Sequence, residues 1–296
     1  PASQFGGYLV KYYLDSALTQ VVSGYPHPNS VFGGLWGDDG TDIPQNQAKG
    51  FLRTNQLVTF FGVTTISRGF WHLKTNQAYQ EAIVFYNRLR NRLQQYAYDQ
   101  AMRWYETGVP WLMQPLFIRW PSDPNSHSLY GIPAQANSPA DEFMFGNALL
   151  IRPVFTDVNT VSVYLPAGKW KRFMQPNTSA ITGPTTISYS LATDSGNASD
   201  YPIFLKEGEI LVIGHNTNPG ELWAYVFLDS TNSSSSKYSF HRHDGTSVEL
   251  QATRGAGADV VLKRLDTTPP ITTTMASDPY GKGFKIANLA ELGLSY

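Results

Sequence analysis

Two adjacent acids stand in a glycine-rich stretch of the chain, the segment Trp36-Gly-Asp-Asp-Gly40. A short apolar piece, Val31-Phe32, precedes this segment and favours a strand. A loop behind a strand can place the carboxylate of Asp38 or Asp39 at the mouth of a barrel. The alternative is an ordinary Asp-Gly turn, and the local sequence alone leaves both interpretations open.

The segment Arg68-Gly-Phe-Trp-His72 is a second candidate. An arginine, two rings and a histidine so close together can offer hydrogen bonds to hydroxyl groups and a face for stacking. Aromatic faces pack against the apolar C–H faces of pyranose rings, so the combination suits a sugar. The alternative is a surface arginine beside a packed pair, Phe70 and Trp71.

The segment His241-Arg-His-Asp-Gly245 contains side chains that can bind metals. On a strand, His241 and His243 share one face, but the sequence supplies no third ligand beside them. Asp244-Gly245 is a hairpin-turn signal, which favours a structural role. No metal site and no cofactor are therefore predicted, and the chain also lacks a phosphate-binding glycine loop, H-E-x-x-H and G-x-S-x-G.

The part of the chain before residue 109 has an α/β pattern. It contains a helical stretch at 15–22, the short apolar piece at 31–32 and a helix from 51 to about 61. A long helix is predicted from about Tyr79 to Glu106, because its apolar positions keep the spacing of one buried face. Gly108-Val-Pro110 supplies the signals that end it.

After Pro110 the pattern changes to short apolar runs separated by clusters of Pro, Gly, Ser and Thr. The runs lie at 113–120, 149–155, 203–205 and 210–213, and a further β-rich portion begins near Glu221. This alternation is typical of β-sandwiches.

The composition limits the possible partners. The chain has 296 residues, a formal net charge of -1 and 15% charged residues. This balance provides no basic field for nucleic acid and no polybasic patch for anionic lipid, so neither a nucleic-acid nor a membrane partner is predicted. Aromatic residues make up 14%, and there is no cysteine for disulfides or thiolate chemistry.

Three acceptor sequons begin at Asn177, Asn197 and Asn232, in Ser/Thr-rich stretches. They predict glycosylated surface loops of a secreted protein. No run of 18 apolar residues is present. Because Pro1 follows neither an initiator methionine nor an apolar signal region, we expect the chain to be a processed product or a piece of something longer.

One longer stretch carries a family pattern. It runs Asp141-Glu-Phe-Met-Phe-Gly-Asn-Ala-Leu-Leu-Ile-Arg-Pro-Val-Phe155 and continues as Val161-Ser-Val-Tyr-Leu-Pro-Ala-Gly-Lys-Trp170. It resembles the segment after the barrel in glycoside hydrolase family 31, where the pattern is QFMFG, LLVAPV and VYLPxGxW. Most members of that family are α-glucosidases and α-xylosidases.

The resemblance implies a fold of class α/β plus all-β. Residues 1–108 would form the last βα units of a (β/α)8 barrel, because a complete barrel needs roughly 250 residues. Two β-sandwich-type C-terminal domains would follow at 109–214 and 215–296.

The resemblance also assigns candidate sugar-binding residues. Gly37-Asp-Asp39 matches the start of G-x-D-I-G-G-F at the end of a late barrel strand, and the I-G-G-F continuation is missing. Arg53 to Phe60 matches the R-x-x-Q-x-x-x-F helix that follows. Asp39 is therefore implied to lie near the bound sugar, with Asp38 and Trp36 in the same loop.

The family's P-F-x-R-x-H segment corresponds to the stretch that ends in His72, with a longer spacing from arginine to histidine here. In the family this histidine hydrogen-bonds the sugar of the first glycone subsite. The resemblance assigns that role to His72, and Arg68, Phe70 and Trp71 are taken as its neighbours at the sugar.

No catalytic residue is assigned to this chain. Retaining hydrolysis needs a nucleophile and an acid/base about 5 Å apart. The family's nucleophile motif, W-x-D-M-N-E, has no match, and counting back from Ser23-Gly24 places the acid/base aspartate before Pro1. Trp36 to Asp39 resembles the acid/base motif W-x-G-D, but the helix containing Arg53 follows too soon, so Asp39 is rejected for that role.

The predicted function is that of one part of a retaining α-glucosidase, acting on an α-linked glucose oligosaccharide or glucoside. A second polypeptide segment would complete the barrel. Two alternatives remain. The first is transglycosylase or α-glucan lyase chemistry within the same family. The second is a non-catalytic carbohydrate-binding or structural subunit, which the absence of both carboxylates would explain.

Overall fold

The computed structural model describes residues 7–25, 27–32, 42–66, 69–74, 76–127, 141–175, 179–191, 200–218, 220–229, 233–255, 259–279 and 283–295. Two parallel strands, β1 (Asn29–Phe32) and β2 (Val63–Ile66), lie among helices in the first third of the chain. The rest is dominated by two antiparallel sheets. The predicted order, an α/β part followed by an all-β part, is therefore confirmed.

Four helices accompany the parallel strands. They are α1 (Gly7–Val22), α2 (Gln45–Val58), α3 (Gln77–Arg92) and α4 (Gln94–Thr107). The single long helix predicted from Tyr79 to Glu106 is wrong, because the chain bends at Leu93, whose ψ of 1° leaves the helical range. The bend lets α4 pack on β11 (Tyr238–His241), a strand of the second antiparallel sheet, which we call the distal sheet. Gly108 ends α4 in the left-handed conformation, with φ of 73°, as its sequence signal predicts.

The first antiparallel sheet has six strands in the order β3-β4-β5-β8-β6-β7. Its strands are β3 (Gln114–Pro115), β4 (Phe143–Phe145), β5 (Leu149–Ile151), β6 (Thr160–Arg172), β7 (Ile181–Ser190) and β8 (Ile203–Lys206). The apolar run at 113–120 is only partly a strand: after β3 it becomes a short helix, α5 (Leu116–Arg119), which Pro115 precedes.

The second antiparallel sheet has seven strands in the order β11-β12-β13-β14-β15-β10-β9. They are β9 (Ile210–Gly214), β10 (Leu222–Val226), β11 (Tyr238–His241), β12 (Ser247–Arg254), β13 (Val260–Arg264), β14 (Ile271–Ser277) and β15 (Lys285–Asn288). Strand β9 pairs with β10, so the predicted division at residue 214 falls between two paired strands. The chain passes from the first sheet to the second between β8 and β9, at residues that include Gly208.

One continuous apolar core joins the helices to both sheets. Trp170, Tyr86 and Tyr96 are among the largest side chains buried in it. A smaller, separate core lies at the entrance to α2 and α3, where it holds the loops that follow the parallel strands. None of the helices among the described residues is long and apolar enough to cross a membrane.

Candidate functional site

The two parallel strands end side by side, and each is followed in the chain by a segment that contains predicted sugar-binding residues. Asn29 pairs with Val63 and Phe32 with Ile66, so the strands end side by side. The loop after Phe32 leads to Asp42, and the loop after Ile66 leads to a 3-10 turn at Phe70–His72. Carboxyl ends of neighbouring parallel strands are where barrel enzymes place their binding residues.

Hydrogen bonding ties these two loops together. The backbone N–H of Ile43 donates to the carbonyl oxygen of His72 at 2.8 Å. The Nδ1 atom of His72 lies 4.0 Å from Oδ1 of Asp42, and the Nζ atom of Lys74 lies 3.0 Å from the same oxygen. His72 is 7% exposed, whereas Asp42 and Lys74 are exposed. The structure therefore places a buried imidazole beside an acid that lies three residues after Asp39.

A small apolar core contains the residues that follow Asp42 and His72. Ile43, which follows Asp42, and Leu73, which follows His72, pack together in it, and the remaining members are Ala48, Leu52, Tyr79, Ala82 and Ile83. The N-cap Asn76 begins α3 by accepting a hydrogen bond from the N–H of Tyr79 at 3.0 Å. Asp42 and His72 are thus each held in place by the buried apolar residue that follows them.

Two rings precede His72. The Phe70 and Trp71 rings meet edge to face, with centroids 5.5 Å apart and planes at 70°. Trp71 is 57% exposed, and Phe70 is half-buried. The structure therefore brings together three of the predicted site residues, Phe70, Trp71 and His72, on one turn at the strand edge. Trp36, Asp38, Asp39 and Arg68 lie outside the described residues, as do the sequon residues Asn177, Asn197 and Asn232.

The helix that follows the first loop carries an interior polar pair. Arg53 and Gln56, both on α2, are fully buried, and Nη1 of Arg53 donates to Oε1 of Gln56 at 2.8 Å. Burial lowers the pKa of Arg53. These two residues of the R-x-x-Q motif therefore interact with each other inside the protein rather than at the loop edge.

A buried ionic cluster, Asp141, Glu142 and Arg152, lies in the family segment. The Arg152 guanidinium is 3.6 Å from Oδ2 of Asp141 and 3.7 Å from Oε1 of Glu142. Lys11 of α1 reaches Oδ1 of Asp141 at 3.0 Å. Burial raises the pKa of Glu142 to about 8, although Arg152 and the N–H of Tyr164 oppose the shift. The cluster joins α1 to the six-stranded sheet. Arg152, a charged residue inside the apolar run at 149–155, is a sequence signal for the cluster, but the sequence does not show which acids are its partners.

A second buried cluster joins α4 to the distal sheet. Oδ1 of Asp99 accepts from Nε2 of Gln95 at 2.9 Å and from the N–H of His241 at 2.8 Å. Asp99 also accepts from the hydroxyl of Tyr238. Asp99 raises the pKa of His241, with Glu106 adding to the effect. His241 therefore has a structural contact, in keeping with the interpretation made from its sequence.

The turn after β11 also has the structural role that the sequence predicts for His241 to Gly245. His243 and Asp244 form the turn that joins β11 to β12, and Gly245 has φ of 84°. The His243 ring stacks on Tyr98 of α4, with centroids 5.4 Å apart. The hairpin signal Asp244-Gly245 is thus confirmed, and it places His243 beyond the strand rather than on the same face as His241.

Residues 108–211 match the model of the glycosyl hydrolase family 31 C-terminal domain. The chain is 28% identical over 179 residues to alpha-glucosidase 2 of Bacillus thermoamyloliquefaciens, covering 59% of this chain and 20% of the relative. It is 25% identical over 247 residues to an alpha-xylosidase of Saccharolobus solfataricus, covering 80% of this chain and 31% of the relative. The chain thus spans about a fifth to a third of these relatives.

The fold is similar to that of a family 31 dextranase from Flavobacterium johnsoniae, solved with isomaltotriose. The TM-score is 0.67 at 19% identity, and the match covers 84% of this chain and 30% of that one. It is also similar to the glucosidase II alpha subunit, with a TM-score of 0.63 at 16% identity, over 84% of this chain and 26% of that one. Residues 108–211 therefore form a domain of the glycosyl hydrolase family 31 C-terminal type.

Proposed function

We propose that this chain supplies the sugar-binding loops and the C-terminal β-domains of a retaining α-glycosidase of the α-glucosidase type. One observation carries the proposal. The bond from Ile43 to His72 holds two loops together at the carboxyl edge of neighbouring parallel strands, next to a family 31 domain. In this role His72 and Asp39 bind the hydroxyl groups of the terminal sugar, because both side chains can form hydrogen bonds there.

The open strand pair supports completion of the barrel by another segment. Among the described residues β1 pairs only with β2, whereas a (β/α)8 barrel has eight strands. Val63 on β2 is exposed, and so are Tyr12 and Tyr25 near α1, so apolar surface is available for a further polypeptide to cover. We assign the nucleophile and the acid/base to that preceding segment or chain, because retaining hydrolysis requires both.

The proposed substrate is an α-linked glucose oligosaccharide or glucoside. An α-xyloside is the alternative substrate. The two matched relatives are named as an alpha-glucosidase and an alpha-xylosidase, and the similar dextranase was solved with isomaltotriose. A chain of nearly balanced charge suits such neutral ligands. Secretion with glycans at the three sequons belongs to the same proposal and would be tested by glycosidase treatment and mass spectrometry.

The test uses the native preparation of the complete protein. Intact mass and N-terminal sequencing identify every chain present, and hydrolysis of p-nitrophenyl α-glucoside and α-xyloside is then measured. Activity in a preparation that contains the completing segment is the expected result. A single 33 kDa species that binds sugar without cleaving it would instead favour the non-catalytic subunit. Release of an unsaturated or a transferred product would favour the lyase or the transglycosylase.

A further inference from the structure

A groove opens at the amino ends of the two parallel strands, at the other end of the strands from His72. It has a volume of about 730 Å³. His27 lies two residues before β1 and Gly62 directly precedes β2, and both residues line the groove. Residues of α4 line it as well. The groove is therefore separate from the proposed sugar site.

The lining of the groove is mostly apolar. Ala97 and Ala101 are one turn apart on the same face of α4, and their small side chains leave room between larger ones. The main core contributes Leu93, Trp104, Leu112 and Phe145 to the lining. Tyr105, which also lines the groove, is 87% exposed. An open apolar surface of this kind marks a place where another group packs.

The charged group beside the groove is engaged within this chain. Arg90 is the one formally charged side chain among the described residues that line the groove, and its guanidinium donates to backbone carbonyl oxygens between the end of α2 and the start of β2. These oxygens belong to Val58, Thr59, Phe61 and Gly62. A Cβ atom on Gly62 would lie 2.9 Å from Cα of His27, so the entries to the two strands are in contact. The groove therefore favours an uncharged, apolar occupant.

The position of the groove identifies its occupant. Among the described residues β1 pairs only with β2, and in a (β/α)8 barrel the amino ends of all eight strands lie on one face. Further strands beside this pair would therefore begin on the side where the groove opens. The matched relatives have the length for such a segment, because this chain covers only 20% and 31% of them.

We propose that an apolar part of the segment that completes the barrel packs into this groove, against Ala97 and Ala101 of α4. The inference rests on the part of the proposed function that assigns a completing segment, and it adds the surface on which that segment docks. Gln95 and Asp99 of the same helix bind β11 of the distal sheet. Helix α4 thus joins the barrel on one face to the distal sheet on another.

The experiment places a photo-reactive side chain in the groove of the complete protein. The amino acid p-benzoylphenylalanine replaces Tyr105, the protein is irradiated, and mass spectrometry identifies the cross-linked peptides. The expected partner is a peptide from outside the 296 residues of this chain. The same amino acid at Ile271, which is 39% exposed on β14 of the distal sheet, is the control and should give no cross-link to that segment.

A second measurement fills the groove. Ala101→Trp should lower the melting temperature of the complete protein by about 5 °C or more, because the indole occupies the volume that the segment needs. Ala276→Trp adds the same ring at an exposed position of β14. It is the matched control, and its melting temperature should stay within about 1 °C of wild type.

Each outcome decides the inference. Cross-links from position 105 to a second copy, to this chain's own residues, to an unrelated protein or to nothing would overturn it. Equal melting temperatures for Ala101→Trp and Ala276→Trp would overturn it as well. Neither measurement depends on activity. Cross-links to the completing segment in a protein that hydrolyses no α-glycoside would reject the proposed activity and support the docking surface, whereas hydrolysis without these cross-links would reject the docking surface alone.

Discussion

The backbone N–H of Ile43 donates a hydrogen bond of 2.8 Å to the carbonyl oxygen of His72. This bond joins two segments that follow different strands, and it uses main-chain atoms only. The apolar residues on either side, Ile43 and Leu73, are buried in the small core beneath. The position of His72 is therefore determined by a main-chain hydrogen bond and by the packing of the neighbouring apolar residues.

His72→Ala should lower kcat/KM toward an α-glucoside by about a hundredfold or more in the complete enzyme. A hydrogen bond that strengthens in the transition state is lost, whereas the loop is held by the main chain. Asp39→Asn should have a similar effect. His215→Ala, on the distal sheet, is the control and should retain wild-type kinetics. Wild-type kcat/KM in both site variants would show that these residues are not in the subsite.

Glu142 gives the protein a predictable pH dependence. Its ordinary pKa of 4.5 rises to about 8 in the folded protein, because burial disfavours the carboxylate. Between these values the unfolded chain releases the proton and the folded protein keeps it, so stability falls as the pH rises from 4.5 to 8.

Glu142→Gln should remove this dependence. The unfolding free energy of E142Q minus that of wild type should increase by about 4 kcal/mol between pH 4.5 and pH 8, as measured by urea unfolding at several pH values. The nearby Asp141 is present in both proteins, so its own titration largely cancels. A difference that stays constant with pH would mean that Glu142 is already ionised in the folded protein.

Asp99→Ala should destabilise the contact between α4 and the distal sheet. Three donors, from Gln95, Tyr238 and His241, would lose their acceptor in a buried site, at a cost of about 3 kcal/mol. Glu106→Gln is the matched control, because Glu106 contacts His241 from the same helix but is half exposed, and it should cost less than about 1 kcal/mol. Urea unfolding measures the free energy of unfolding of both variants. If it fell equally in the two, the hydrogen bonds accepted by Asp99 would not be what stabilises this contact.

A glycine pair separates backbone strain from steric clash. Gly146 has φ of 62°, and a Cβ there would lie 2.3 Å from the hydroxyl oxygen of Tyr96. Gly208 has φ of 74° with nothing within 4 Å of its Cβ position. Gly208→Ala should lower the free energy of unfolding by about 1 kcal/mol, because only backbone strain is added. Gly146→Ala should lower it by about 1–3 kcal/mol more, because the new methyl group also overpacks against Tyr96. Equal melting temperatures for the two variants would show that Tyr96 moves aside freely.

Local patterns in the sequence predict the elements that depend on local interactions. The helix end at Gly108, the turn at Asp244-Gly245 and the strand at Val31-Phe32 are all confirmed. The break at Leu93 was missed because apolar spacing continues through it, and only the packing of α4 on β11 explains it. Asp99 and His241 are 142 residues apart in the chain, so no local pattern could pair them.

The candidate site was predictable to a similar extent. Spaced motifs indicated that the loop leading to Asp42 and the turn at His72 belong together, and the parallel pairing of β1 with β2 supplies the physical reason. Two contacts depend on tertiary geometry, which the motifs do not encode. They are the hydrogen bond from Ile43 to His72 and the contact of the Trp71 indole with Gly69. The ionic partners of Arg152 were hidden for the same reason.

The central claim is that the edge containing His72 holds the sugar of an α-glycosidase. Its most direct test is the hydrolysis of α-glucosides and α-xylosides by the complete enzyme, wild type beside His72→Ala. We expect cleavage by the wild type and a loss of about a hundredfold or more in kcat/KM for the variant. Cleavage that is equal in the two proteins would contradict it, as would a wild-type enzyme that cleaves no α-glycoside.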